Sequence, residues 1–188
     1  MLPLLLAATL PAMAGWSSTG SKFDCNYSKQ DEGDVVALRA ECTWALPADK
    51  VQAVVGDWNS HASVFDSVTK STVLGGWSGG KARVLQNHQA SGISDREVVL
   101  DVTVEDIDGG KRWRHSKSAD QHELSGEMVE VGKDDGLWEV KSTPDGGCTV
   151  LYELRYDPAG SVPGFIVKAF QGGGFKDMLL QVRTAAGG

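Results

Sequence analysis

Four histidines, three cysteines and one arginine on an otherwise apolar strand face are the side chains with most chemistry to offer in this 188-residue sequence. A zinc hydrolase of the HExxH type needs two histidines one helical turn apart, with a glutamate beside the first, so that both imidazoles face one ion. His122-Glu123 opens such a motif, but Gly126 stands where the second histidine belongs, and His61, His88 and His115 have no such spacing. There is no Cys-x-x-Cys pair either, so neither a metal nor a cofactor is expected. No strand-to-helix nucleophile elbow is expected, and Gly172-Gly173-Gly174 lacks the Lys-Ser/Thr that a phosphate loop requires. The enzymatic option left is acid–base work by His88 or His115 beside Tyr152. Its competitor is a buried histidine that is simply hydrogen-bonded.

Arg96 opens the clearest strand. Over residues 95–105, Arg96, Val98, Leu100, Val102 and Val104 fall on one face, while Asp95, Glu97, Asp101, Thr103 and Glu105 face mostly water. A guanidinium on the apolar face needs a carboxylate, a carbonyl or a ligand oxygen, unless it snorkels to the rim. Cys25 and Cys42 lie on either side of the polar turn Asp31-Glu32-Gly33-Asp34. Phe23, Cys25 and Tyr27 share one face, and Val36, Leu38, Cys42 and Trp44 share one on the next strand. The two thiols then face each other across a hairpin, at a distance a disulfide closes; two buried free thiols are the alternative. Cys148 reads as a small core residue.

The elements that must position these groups change period near the C-terminus. Cys148, Val150, Tyr152, Leu154 and Tyr156 alternate as one face of a strand, and Asp157-Pro158-Ala159-Gly160 ends it. Pro163 then opens a helix carrying Phe165, Ile166, Val167, Phe170, Phe175, Met178, Leu179, Leu180 and Val182, an apolar surface too wide for a single seam. This predicts a lid helix folded over a sheet. Three glycines inside it cost roughly 3 kcal/mol against alanine, and read as a hinge, as a break between two helices, or as a close approach. Earlier, Pro47-Ala48-Asp49 starts a helix with Val51, Val54, Val55 and Trp58 on one stripe. Between 67 and 156 the chain reads as an antiparallel meander, broken by glycine-rich turns.

Length and ordinary apolar content predict one core. Residues 1–14 read as a cleaved signal peptide, ending in Ala12-Met13-Ala14 before Gly15. Residues 15–34 read as an N-terminal strand and turn, and 35–188 as the main domain. A periplasmic or secreted protein follows, in which the disulfide persists. The net charge of −7 repels phosphate backbones and anionic headgroups. No nucleic-acid partner is expected, a monomer is, and any transient membrane contact must be apolar.

The order strand pair, helices, long antiparallel meander, long C-terminal helix resembles the START and polyketide-cyclase-like superfamily. Its motif stands here as Gly136, Trp138, Thr149, Tyr152, Asp157, Pro158, Gly160 and Pro163, and the resemblance covers roughly residues 35 to 186. It implies an α+β helix-grip fold: a curved antiparallel sheet of about six to eight strands around the terminal helix, with short helices after the first strands. It further implies a cavity for a lipid, sterol, quinone or polyketide. Arg96-Glu97-Val98 matches the strand start of lipid-carrying members, whereas Val102 replaces a second arginine found in some sterol binders. A cavity of ~300–1,000 Å³ suits an apolar ligand with one or two polar anchors. Its expected wall is Arg96, Val98, Leu100, Val102, Trp113, Trp138, Val140, Tyr152, Val167, Phe170, Gly174 and Met178. Non-catalytic carriage of a hydrophobic molecule, most simply a lipid, is the leading expectation, and a polyketide cyclase or aromatase on the same fold is the alternative.

Overall fold

Period-two alternation over most of the chain produces strands, and the computed structural model, which describes residues 15–188, assembles them into one sheet. The expected leader lies outside the described residues. The strands are β1 Ser17–Lys22, β2 Cys25–Asp31, β3 Val36–Trp44, β4 Val68–Ser78, β5 Lys81–His88, β6 Arg96–Ile107, β7 Gly110–Lys117, β8 Val129–Glu130, β9 Lys133–Ser142 and β10 Cys148–Asp157. Their order is β1-β2-β3-β10-β9-β7-β6-β5-β4, antiparallel throughout, with the two-residue β8 pairing parallel to β6. Ten strands exceed the expected six to eight. Both β1, which is exposed along its whole length and carries no apolar alternation, and the short β8 leave little trace in the sequence.

β2 and β3 pair with Cys25 directly opposite Cys42, and the two form the expected disulfide. Closing a loop across a separation of 17 residues stabilises by about 3 kcal/mol in the chain-entropy view. Cys148 is free and buried, as a core residue should be.

α1 (Ala48–Gly56) begins at Pro47 and buries Ala48, Val51 and Val55; the 3-10 turn Trp58–Ser60 and α2 (His61–Val64) bury Trp58 and His61. The C-terminal helix runs without a break from α3 (Gly164–Ala169) through a π-helical turn (Phe170–Gly174) into α4 (Phe175–Ala185). Its two halves differ in packing. α4 drives Phe175, Leu179 and Val182 into the core, whereas α3 has no fully buried residue.

Tyr152 on β10 stands opposite Trp138 on β9, and their rings stack at 3.7 Å between centroids; Phe175 stacks on the other face of Tyr152 at 5.3 Å. This aromatic column fastens α4 to the sheet. The motif glycine Gly136 also has a steric role: a Cβ there would lie 2.1 Å from the His115 ring, which needs that space.

One sequence expectation fails on β6. Glu97 does not face water; it is buried at 2% exposure beneath the segment between β7 and β8. Ser125 N, Ser125 Oγ and Gly126 N all donate to its carboxylate. Burial opposes ionisation there, but these hydrogen bonds prevail and hold the carboxyl below its usual range.

Candidate functional site

Under α3, between the lid and the ends of β5, β9 and β10, lies a mainly apolar cavity of about 150 Å³. That is smaller than the expected ~300–1,000 Å³. Of the twelve expected wall residues, Arg96, Trp138, Tyr152, Val167, Phe170 and Met178 line it.

The other six do not line it. Val98, Leu100 and Val102 point into a second buried cluster with Trp58, Val84 and Val131, where Trp58 takes up the space the ligand was expected to fill. Trp113 and Val140 lie beneath α1: Gly56 sits against the Trp113 ring and Gln52 Nε2 donates to the Val140 carbonyl. Gly174 faces the ring of Phe170. Face periodicity identified the inward side of β6 correctly but carried no information on which stretch of that side another element covers.

The expected wall omitted apolar residues such as Leu38, Phe65 and Leu154 and the polar His61, Gln86, Asp134 and Tyr156; His88 and His115, expected only as an acid–base option, line the cavity too. Gln86 and His88 were legible in principle, since they continue the inward face of Ala82 and Val84 along β5.

Most of these polar groups form one chain of hydrogen bonds. Tyr156 Oη lies 3.0 Å from His88 Nδ1, His88 Nε2 3.2 Å from Gln86 Oε1, Gln86 Nε2 3.3 Å from His61 Nδ1, and His61 Nε2 3.1 Å from the Val55 carbonyl. Gln86 Nε2 also donates to Ser71 Oγ at 2.9 Å, and that hydroxyl donates to the Trp58 carbonyl. Beside the chain, His115 Nε2 lies 3.2 Å from Asp134 Oδ1, while His115 Nδ1 is buried without a partner. The pairing of His88 or His115 with Tyr152 does not form; the tyrosine that meets a histidine is Tyr156, four residues further along the same strand face.

Burial sets the charge state of these groups. It pulls His61 down to about 4 and lowers His88, and it raises Tyr156 above the ordinary phenol value. Neutral His61 and His88 beside a neutral phenol follow at neutral pH.

Arg96 is buried at the mouth of the cavity and does not reach the rim. Its Nε donates to the Pro158 carbonyl at 3.2 Å and Nη2 to the Ala159 carbonyl at 3.3 Å; Nη1 donates to the Ser94 carbonyl. Of the partners expected, a carboxylate, a carbonyl or a ligand oxygen, main-chain carbonyls supply the solvation. The same contacts hold the 157–160 corner, and so the start of α3, against β6.

Elsewhere, Asp120, His122 and Glu123 are a group among the described residues that brings ligand-type atoms together. They sit on an exposed segment, pair with one another, and Glu123 is held by Arg83, so they do not make a built site. Gly76-Trp77-Ser78-Gly79-Gly80 spells the letters of a nucleophile elbow, but it forms the hairpin between β4 and β5, with a strand on each side and Ser78 exposed.

A curved antiparallel sheet closed by a terminal helix over a cavity defines a helix-grip protein. Residues 36–186 match the family described as polyketide cyclase / dehydrase and lipid transport, and the chain belongs to that family. A search of curated proteins finds no match. Among solved structures the chain is similar to a STAR-related lipid transfer protein from Xanthomonas axonopodis, with 21% identity and a TM-score of 0.80, covering 92% of this chain and 98% of that one. Human STARD10 gives a TM-score of 0.83 at 14% identity, covering 94% and 74%. The Zhui aromatase/cyclase from Streptomyces gives 0.56 at 15% identity, covering 79% and 92%. At these identities the likeness concerns the fold.

Proposed function

We propose that this protein is a non-catalytic carrier of a hydrophobic small molecule, such as a lipid or quinone, held between the sheet and the N-terminal half of the lid helix. The observation that carries this reading is the unequal packing of that helix over an apolar cavity. α4 is locked into the core, while α3 covers the cavity with half-buried Ile166 and Val167, followed by Phe170 in the π-helical turn, and has no fully buried residue. Replacing water by apolar walls is the main favourable term for such a guest. A cavity of about 150 Å³ holds only a benzene-sized guest, so a lipid enters by lifting α3. The names of similar structures, which include lipid transfer proteins, support this reading.

The alternative, a cyclase or aromatase, draws on the His88–Tyr156 pair that lines the cavity. Against it, an efficient general acid or base has its pKa near the working pH, and burial moves both partners away from neutrality in opposite directions. Native mass spectrometry of the protein purified from its own host tests the carrier. A co-purifying apolar molecule is the expected result; a protein that never carries or takes up such a molecule would sink the reading. Turnover of the bound compound, abolished by His88→Ala, would favour the enzyme instead.

Gly172 and Gly173 lie between the two halves of the helix, and a Cβ at either meets nothing within 4 Å. Gly172→Ala with Gly173→Ala should therefore stabilise by about 1–2 kcal/mol. If these glycines allow α3 to lift, uptake of a fluorescent fatty acid followed by stopped flow should also slow several-fold. An unchanged uptake rate in a stabilised variant would remove the hinge.

The reading includes a transient apolar contact with a membrane and a periplasmic location. The leader pattern and the disulfide support the location. No helix among the described residues is long and apolar enough to cross a membrane. Phe165, at 72% exposure on α3, is the most exposed large apolar side chain. Phe165→Ser should abolish co-sedimentation with uncharged phosphatidylcholine vesicles and leave the melting temperature within about 1 °C, since a surface substitution changes stability by under ~0.5 kcal/mol. Undiminished co-sedimentation would rule out this contact.

A further inference from the structure

The direction of the buried hydrogen-bond chain is fixed at the end away from Tyr156, by two main-chain carbonyls. The Val55 carbonyl only accepts, so His61 must carry its proton on Nε2 and present Nδ1 as a bare acceptor. The Trp58 carbonyl likewise obliges Ser71 to donate to it and to accept from the next group. Both neighbours of Gln86 Nε2 then require a donor, which sets the amide with its NH₂ toward His61 and Ser71 and its oxygen toward His88. His88 must answer that oxygen with Nε2–H, leaving Nδ1 to accept the Tyr156 proton. Turning over any one link would set two acceptors or two donors face to face in a buried place, leaving polar groups unpaired.

The outcome at the cavity wall is specific. Tyr156 has already committed its only proton to His88, and what it retains is an oxygen lone pair. At Tyr156, what the wall has left to offer is a lone pair and not an O–H group.

Resting on the carrier reading above, we infer that the ligand is an apolar molecule whose polar group is a hydrogen-bond donor, a hydroxyl, received by Tyr156, and that matched ethers and ketones are disfavoured. The device is a donor selector: the hydroxyl places its hydrogen on the phenol oxygen, while an ether or ketone oxygen faces that lone pair unpaired.

Three eight-carbon probes of nearly equal size, octanol, methoxyheptane and octanone, test this by titration calorimetry on the full chain. One lost neutral hydrogen bond corresponds to roughly fivefold in affinity. The preference for octanol over the other two should therefore fall about fivefold in Tyr156→Phe relative to the unaltered protein. If all three bind and Tyr156→Phe leaves their relative affinities unchanged, the inference fails while the carrier reading stands. If none binds, the carrier reading itself is overturned, and the inference with it. Nitrogen-15 NMR of the histidines in the unaltered protein gives a check that needs neither ligand nor variant: His61 and His88 should both be neutral Nε2–H tautomers at pH 7. A proton on His88 Nδ1 would reverse the chain and overturn the inference.

Discussion

Truncating Phe175 to alanine is expected to destabilise the protein by about 3–5 kcal/mol. Phe175 is fully buried, stacks on Tyr152, and meets Tyr27 edge-on at 6.2 Å. The rigid strands β3, β9 and β10 that surround it cannot close on the space left behind, so the lost burial and the residual cavity add. It is also the first residue of α4, the half of the helix that is packed into the core. Urea denaturation should show the loss as a lower midpoint with little change in slope, and the melting temperature should fall by about 10 °C. Phe165→Ala on the same helix serves as the control, with a change below ~0.5 kcal/mol. Similar losses from the two variants would mean that the C-terminal half of the helix is not the anchor described.

Acid should weaken the fold well before its carboxylates titrate. Burial holds His61 at about 4 from an ordinary value of 6.5, so between those values the unfolded chain binds a proton that the native state refuses. Stability then rises with pH across this window and is lost as pH falls through it. A depression of that size corresponds to about 3 kcal/mol at full extent. His88 is shifted in the same direction by the same cause and adds to the loss. Glu97 and Glu139 have lowered values and contribute only below the usual carboxylate range, so the fall from pH 6.5 to about 4.5 belongs to the histidines. Unfolding midpoints measured across that range should drop steadily, and His61→Gln, which cannot take up the proton, should flatten the profile. A flat profile in the unaltered protein would show that His61 is not held neutral by burial.

The interaction of fold and site explains why half of the expected cavity wall was legible. Trp138, Tyr152, Phe170 and Met178 followed from periodicity together with the family motif, since a residue's side of a strand or helix is set locally by its spacing. Val98, Leu100 and Val102 share the inward side of β6, yet Trp58 lies over them, delivered by a helix some forty residues earlier in the chain. No local pattern announces such coverage. The polar chain is more distant still from sequence reasoning: Val55, His61, Gln86, His88 and Tyr156 belong to α1, α2, β5 and β10, and each looks ordinary on its own element.

What the amino-acid sequence determined by itself is therefore the local order of the molecule: the meander, the Cys25–Cys42 pairing across one hairpin, the helix stripe of Val51 and Val55, and the wide apolar face of the terminal helix. These depend on the two repeat lengths of the backbone and on contacts between near neighbours. Only the tertiary structure decided the cavity's size, which of its walls are already filled, the carbonyl solvation of Arg96 and the direction of the buried hydrogen-bond chain. Those depend on which distant surfaces come into contact, and hydrogen-bond direction in particular is set by a main-chain oxygen whose partner is chosen by packing.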